Sequence, residues 1–393
     1  MSQTTDQITR SPSSAEAVFD VSVVIPCLNE EENITACVTE ARAALDVSGL
    51  QGEIIVVDNA SEDRSTELAQ AAGATVVSEP RRGYGSAYLA GFATARGEYV
   101  VMADADLTYD FNDIPRFVEK LNAGADLVMG DRMDNIEPGA MPWLHRYVGN
   151  PVLSGFLNLL FRTGVRDAHC GMRAFRRSAL SEMDLRATGM EFASEMVISA
   201  SRTHLNIDEI PIHYHPRGGT SKLSTFRDGW RHLRFLLIHH PTALFVLPGI
   251  VLFVMGAVLS ALVLSTITIG GHIFQLHALI AGSLLEIVGT EVIGLGLAAH
   301  AYATYFMSYS DAWFDRARAR LRLEHGLVFG ALLATIGIVF SVIVFVGWIA
   351  NGLGSLSHEY MTLTAATFVI IGMQVFFTSF LLSILGLRRT DRG

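Results

Sequence analysis

The stretch from residue 242 to the end of this 393-residue chain constrains the fold most. Four apolar blocks lie there, at 242–266, 276–307, 327–350 and 361–387. Each is near or above the roughly 20 residues needed to cross a bilayer as a helix. Charged residues are dense up to Arg234 and then thin out abruptly. The chain therefore divides into a soluble part and a membrane part. No Lys or Arg occurs between Arg234 and Arg316, whereas Arg316, Arg318, Arg320 and Arg322 fall between the second and third blocks. Arg388, Arg389 and Arg392 follow the fourth block, and the connections near Gly270 and Gly352 carry no basic residue. The excess of basic residues on cytoplasmic loops places the soluble part, the 316–322 loop and the tail on the cytoplasmic side of a cell membrane, in a multi-pass topology. An even number of crossings agrees with that placement.

The soluble part alternates short apolar runs with helical patterns. Runs at 19–26, 52–58, 74–77, 99–103 and 126–130 read as strands, and the segments between them as helices. This alternation predicts an α/β fold with a doubly wound, mainly parallel sheet. In that turn-rich pattern Asn29 reads as a helix cap. Residues 131–150 read as a long loop, 207–214 as an edge strand, and 226–240 as a basic amphipathic helix lying on a membrane surface. The expected organisation is a disordered polar tail at 1–18, a catalytic domain at 19–223, a juxtamembrane helix at 224–240, four spans at 241–387 and a cytoplasmic tail at 388–393.

The run Tyr99-Val100-Val101-Met102-Ala103 ends in Asp104-Ala105-Asp106. Ligands of open α/β sheets bind beyond the carboxyl ends of strands. Two carboxylates there suit one hard divalent cation, Mg²⁺ or Mn²⁺, shared with phosphate oxygens. The net charge of −10 argues against nucleic acid as a partner. Cys27, Cys37 and Cys170 have no paired or metal-like spacing. Glu286 and Glu291 inside the second block are costly in lipid, so they are either functional or turned toward other helices.

Val24-Ile25-Pro26-Cys27-Leu28-Asn29-Glu30, Val57-Asp58-Asn59-Ala60-Ser61 and Ala103-Asp104-Ala105-Asp106 together resemble the family 2 glycosyltransferases of GT-A fold. Gly130-Asp131-Arg132, Asp167-Ala168-His169-Cys170-Gly171 and Pro216-Arg217-Gly218-Gly219-Thr220-Ser221-Lys222 narrow the resemblance to the dolichyl- and polyprenyl-phosphate mannose or glucose synthases. The resemblance implies a nucleoside diphosphate sugar donor, a polyprenyl phosphate acceptor in the membrane, and an inverting, metal-dependent transfer of a hexosyl group. Pro26, Leu28, Glu30 and Asp58 match donor-binding positions, as do Asp104 and Ala105. Asp104, Asp106 and Thr108 are assigned to the metal, Thr108 standing where related synthases often carry Gln. Arg132, Arg217 and Lys222 match the cations that face phosphates, and Asp167 an acid near the acceptor, with His169 and Glu191 as its neighbours. Two other readings remain. A processive polysaccharide synthase would usually carry Gln-x-x-Arg-Trp, where this chain has Gly229-Trp230-Arg231-His232. A non-catalytic scaffold or transporter is suggested by Glu286 and Glu291 and opposed by the retained acids and cations.

Overall fold

The computed structural model describes residues 19–218, 225–238, 240–265, 268–269, 272–273, 275–306, 316, 323–352 and 358–387. Lys222 and the tails at 1–18 and 388–393 lie outside them. The chain separates into two compact units between Leu236 and Leu237.

The first unit is built on a seven-stranded sheet. Its strands are β1 (Phe19–Cys27), β2 (Gly52–Asp58), β3 (Thr75–Ser78), β4 (Gly97–Met102), β5 (Leu127–Asp131), β6 (Arg173–Arg176) and β7 (Ile207–Pro211), in the spatial order β3-β2-β1-β4-β6-β5-β7. The pairs β1/β2, β2/β3, β1/β4 and β5/β7 are parallel, and β6 runs antiparallel to both β4 and β5. The mainly parallel α/β sheet is as expected, and β7 is its edge.

The helices are α1 (Ile34–Ser48), α2 (Ser65–Ala71), α3 (Tyr84–Thr94), α4 (Ile114–Asn122), α5 (Asn150–Phe161), α6 (Ala179–Met183), α7 (Phe192–Arg202) and α8 (Thr225–Ile238). They cover both faces of the sheet, which explains why β1 reads as an unbroken apolar run. Val21, Val23 and Ile25 pack with α1 and α4 on one face, and Val24, Ile55 and Val57 pack with α3 and α7 on the other. α4 shows the helical logic plainly. Ile114, Phe117, Val118 and Leu121, at i, i+3, i+4 and i+7, are its buried residues. Burying each such side chain is worth about 1.5–3 kcal/mol.

Two local readings are corrected. Asn29 does not cap α1, which starts at Ile34; its side-chain oxygen instead accepts the Glu62 amide at 2.7 Å. β6 is a strand that the sequence pattern does not predict. It is four residues long with an arginine at each end, so no apolar run announces it.

The second unit contains α9 (Leu247–Leu264), α10 (Leu276–Phe306), α11 (Leu323–Ala350) and α12 (Glu359–Leu387), with a hairpin of β8 (Thr268–Ile269) and β9 (His272–Ile273). Four stretches, Thr242–Leu264, Leu276–Thr304, Glu324–Ala350 and Glu359–Leu385, are long and apolar enough to cross a membrane. α9 and α10 approach closely at small residues: a Cβ on Gly256 would lie 2.5 Å from the Gly282 carbonyl. Glu286 is buried in this packing, and Glu291 accepts the Gln374 side-chain amide at 3.0 Å.

Candidate active site

β1 connects to β2 on one side of the sheet, and β4 lies on its other side. The strand order therefore reverses between β1 and β4, and the loops after their carboxyl ends flank the crevice where α/β sheets bind ligands. Pro26, Leu28 and Glu30 belong to the first of these loops and its strand end, Asp58 to the end of β2, and Asp104, Ala105 and Asp106 to the loop after β4. The nucleotide-side loops are pinned to one another. Glu30 donates its amide to Ser65 Oγ at 2.8 Å, Asp58 Oδ1 accepts the Ser61 amide at 3.0 Å, and Glu30 Oε2 accepts from Asn33 Nδ2 at 3.2 Å. Asn59 is a structural pin: its Nδ2 donates to the Glu79 and Arg81 carbonyls, and its Oδ1 accepts the Gly83 amide at 2.7 Å.

Asp104 and Asp106 are handled differently. Asp106 is buried with both oxygens engaged. Oδ1 accepts the Thr108 amide at 3.1 Å and the Thr108 hydroxyl at 2.5 Å, while Oδ2 accepts Arg217 Nε at 2.7 Å. Thr108 therefore reaches the site through Asp106. Asp104 Oδ1 accepts the Tyr84 hydroxyl at 3.0 Å, and among the described residues no cation is bonded to it. Burial, and next the charge of Asp106, push the Asp104 carboxyl up to about 6. Gly171 presses against this group, where a Cβ would come 2.5 Å from Asp104 Oδ2. A carboxylate pair with one guanidinium and a raised proton affinity is short of positive charge, so a divalent cation fits it. Among the described residues no group of three or more His, Cys, Asp or Glu could hold a metal. Two carboxylates with further oxygens from phosphate and water match how Mg²⁺ is commonly held.

The second cluster is Arg132 with Asp167, which is fully buried. Arg132 Nε donates to Asp167 Oδ2 at 2.6 Å and Nη2 to Oδ1 at 2.8 Å, and the guanidinium sits 5.0 Å from the centre of the Tyr214 ring. The short segment 167–171 runs from this pair to Asp104. Arg173, also fully buried, donates to the Cys170, Ala193 and Ala168 carbonyls and holds that segment in place. Glu191 accepts the Gly189 amide within its own turn.

The loop after β7 reaches the first cluster. The Gly218 amide donates to the Asp106 carbonyl at 3.0 Å, the His215 amide to the Thr108 carbonyl at 3.0 Å, and Asn33 Nδ2 to the Gly218 carbonyl at 3.0 Å. A Cβ on Gly218 would overlap Asn33 Oδ1. Tyr84, Arg173 and Tyr109, whose hydroxyl accepts the Gly171 amide at 2.7 Å, escaped the sequence reading. Their roles arise from packing between distant segments, although Tyr84 lies next to glycines in Arg82-Gly83-Tyr84-Gly85.

Comparison with known proteins bears on the family. Residues 22–184 match glycosyl transferase family 2, and residues 297–386 match the glycosyltransferase family 2 C-terminal transmembrane region. The chain is 41% identical over 368 residues to the low-salt glycan biosynthesis hexosyltransferase Agl6 of Haloferax volcanii, covering 93% of this chain and 89% of that protein. It is 35% identical over 213 residues to a dolichyl-phosphate hexose transferase of the same organism, covering 53% and 89%. It is 31% identical over 326 residues to an undecaprenyl-phosphate 4-deoxy-4-formamido-L-arabinose transferase of Edwardsiella ictaluri, covering 78% and 93%. Among solved structures it is similar to glucosyl-3-phosphoglycerate synthase from Mycobacterium tuberculosis in complex with Mn²⁺, UDP and phosphoglyceric acid, at 26% identity and a TM-score of 0.47, covering 56% and 78%. On the nearly full-length likeness to a named hexosyltransferase, the chain belongs to glycosyltransferase family 2, and it is related there to the polyprenyl-phosphate sugar transferases.

Proposed function

We propose that this enzyme transfers a hexosyl group, glucose or mannose, from a nucleoside diphosphate sugar to the phosphate of a polyprenyl phosphate. The transfer inverts the anomeric carbon, depends on Mg²⁺ or Mn²⁺, and takes place at the cytoplasmic membrane face. One observation carries the reading: the half-buried Asp104 and the buried Asp106 lie at the switch point of the sheet, and the 167–171 segment links them to a buried arginine–carboxylate pair.

The nucleoside lies against Pro26, Leu28, Glu30 and Asp58, with its diphosphate toward Ala105. Asp104 and Asp106 hold the divalent cation, which when bound offsets the charge gathering on the leaving diphosphate. Arg217 already sits on Asp106, and donor binding exchanges its partner from carboxylate to phosphate. A phosphate monoester with a second pKa near ~6 is mostly dianionic at neutral pH, so the acceptor needs no strong base. The harder task is bringing two anions together. Arg132 meets it, with Lys222 as a second cation. Asp167 has both oxygens committed to Arg132, which supports a positioning role for it.

Apolar side chains support a membrane-bound acceptor. Trp143, Tyr147, Val152 and Leu159 are exposed at near-helical intervals leading into and along α5, and Trp230 is exposed on α8. Aromatic and aliphatic groups of this kind favour the bilayer interface.

The test is incubation of the purified full-length protein with a polyprenyl phosphate, a panel of UDP- and GDP-sugars, and Mg²⁺ or Mn²⁺. The expected product is a glycosylated lipid phosphate from one donor, absent with Asp106→Ala. Full activity in Asp106→Ala removes the metal assignment, and no turnover of any donor removes the transferase reading.

A further inference from the structure

Ser194 on α7 is fully buried between two imidazoles. Its Oγ lies 3.4 Å from His169 Nε2 and 3.0 Å from His232 Nδ1, and the two rings stand edge to face with centres 4.7 Å apart. His232 belongs to α8, the helix that leads in sequence to the first span. His169 stands midway along 167–171, between the partner of Arg132 and the glycine that abuts Asp104. Its Nδ1 is buried and has no hydrogen-bond partner among the described residues. A buried ring nitrogen left unmatched is costly, so it points to a ligand that would satisfy it.

The local charge balance says what that ligand carries. Asp104, Asp106 and Asp167 stand against Arg132, Arg173 and Arg217, three charges of each sign. A divalent cation matches the diphosphate of the donor. The acceptor dianion then has Lys222 as its one further cation in the proposed site, and a neutral N–H group can complete its contacts. Burial, and next His232, Arg173 and Arg132, hold the His169 imidazole well below the ordinary histidine range, so the ring is neutral with one N–H. Ser194 has one hydroxyl proton to share between two ring nitrogens. If His232 Nδ1–H donates to Ser194 Oγ and Ser194 O–H donates to His169 Nε2, the His169 proton must reside on Nδ1.

We infer that His169 Nδ1–H donates a hydrogen bond to the acceptor phosphate, and that Ser194 and His232 are positioning residues that hold it in that tautomer. The inference rests on the proposed transferase reading for the identity of the anion. It ties the acceptor site to the helix that precedes the first span in sequence.

The experiment uses the full-length protein in detergent with citronellyl phosphate, a short water-soluble acceptor, read by calorimetric binding and by turnover. A hydrogen bond to a charged group predicts a ~10- to 100-fold loss of acceptor affinity in His169→Ala, with the KM for the donor unchanged. His169→Asn, whose amide sits near the Nδ1 position, retains binding within about threefold, and His169→Gln, whose amide sits near Nε2, does not. Ser194→Ala weakens acceptor binding, and Ser194→Thr restores it. Wild-type affinity in a folded His169→Ala overturns the proposal, as does equal loss in the Asn and Gln variants. Absence of turnover by the unaltered protein rejects the transferase reading alone, because calorimetry still reports whether His169 holds the phosphate.

Discussion

Asp104 is half-buried and Arg132 buried, yet among the described residues only Arg132 has a full counter-charge. Asp104, pushed up to about 6 from an ordinary 3.8, holds a proton that the unfolded chain releases. Its contribution to stability is therefore fully present below about pH 3.8, fades as pH rises toward 6, and is flat above. A divalent cation competes for the same carboxylate, so apparent Mn²⁺ affinity is expected to fall about tenfold per pH unit below that value and to level off above it. An electron paramagnetic resonance titration of free Mn²⁺ checks this; an affinity constant between pH 5 and 7 contradicts it. Arg132 presents the opposite case. Removing its partner in Asp167→Ala strands a buried guanidinium and is expected to cost about 3–5 kcal/mol in chemical denaturation. The double variant Arg132→Met with Asp167→Leu should recover most of that stability and remain inactive. Recovered activity would show that the pair serves only the fold. The Asp-x-Asp and the Arg132–Asp167 residues were legible as motifs. The partners that set their behaviour, Tyr84 and Gly171 at Asp104 and Thr108 at Asp106, were not, because each comes from contact in space.

The strand-ending loops and the loop after β7 form one mechanical piece. Gly218 is a tight point in it, since a side chain there meets Asn33. Gly218→Ala is expected to lift residues 215–218 from Asp106, release Arg217, and lower turnover about 10- to 100-fold through misplacement of the phosphate-facing cation. Limited proteolysis should cut this loop faster in the variant. Adding Asn33→Ala removes the clash and should recover part of the loss; no recovery would mean that the Asn33–Gly218 bond itself matters more than the space. Strands β1, β2 and β4 were plain in the sequence, because burial on both faces demands unbroken apolar runs. β6 was silent for the opposite reason. Its membership rests on ladder bonds to β4 and β5, and its end residue Arg173 is buried against carbonyls that no local pattern foretells.

Two units of different character share the chain. The soluble unit follows the rules of water, with buried ladders and a polar crevice. The second unit presents apolar side chains outward, as a lipid-facing surface does. The distribution of arginines predicts that the connection near Gly352 faces away from the cytoplasm. A cysteine replacing Asn351 should be labelled by a membrane-impermeant reagent on intact cells, whereas labelling only after permeabilisation reverses the orientation. The background is low, because Cys27, Cys37 and Cys170 are all buried.

Sequence alone was enough for the division into a catalytic and a membrane part, the α/β class, and the acids and cations of the candidate site. These follow from the solvent each segment can tolerate and from short motifs at strand ends. Only the tertiary structure decided which charges compensate one another. It set Arg217 on Asp106, both oxygens of Asp167 on Arg132, the Tyr84 hydroxyl on Asp104, and Ser194 between two histidines. Charge pairing acts over a few ångströms and varies with burial, and neither distance nor burial is written in the spacing of residues along the chain.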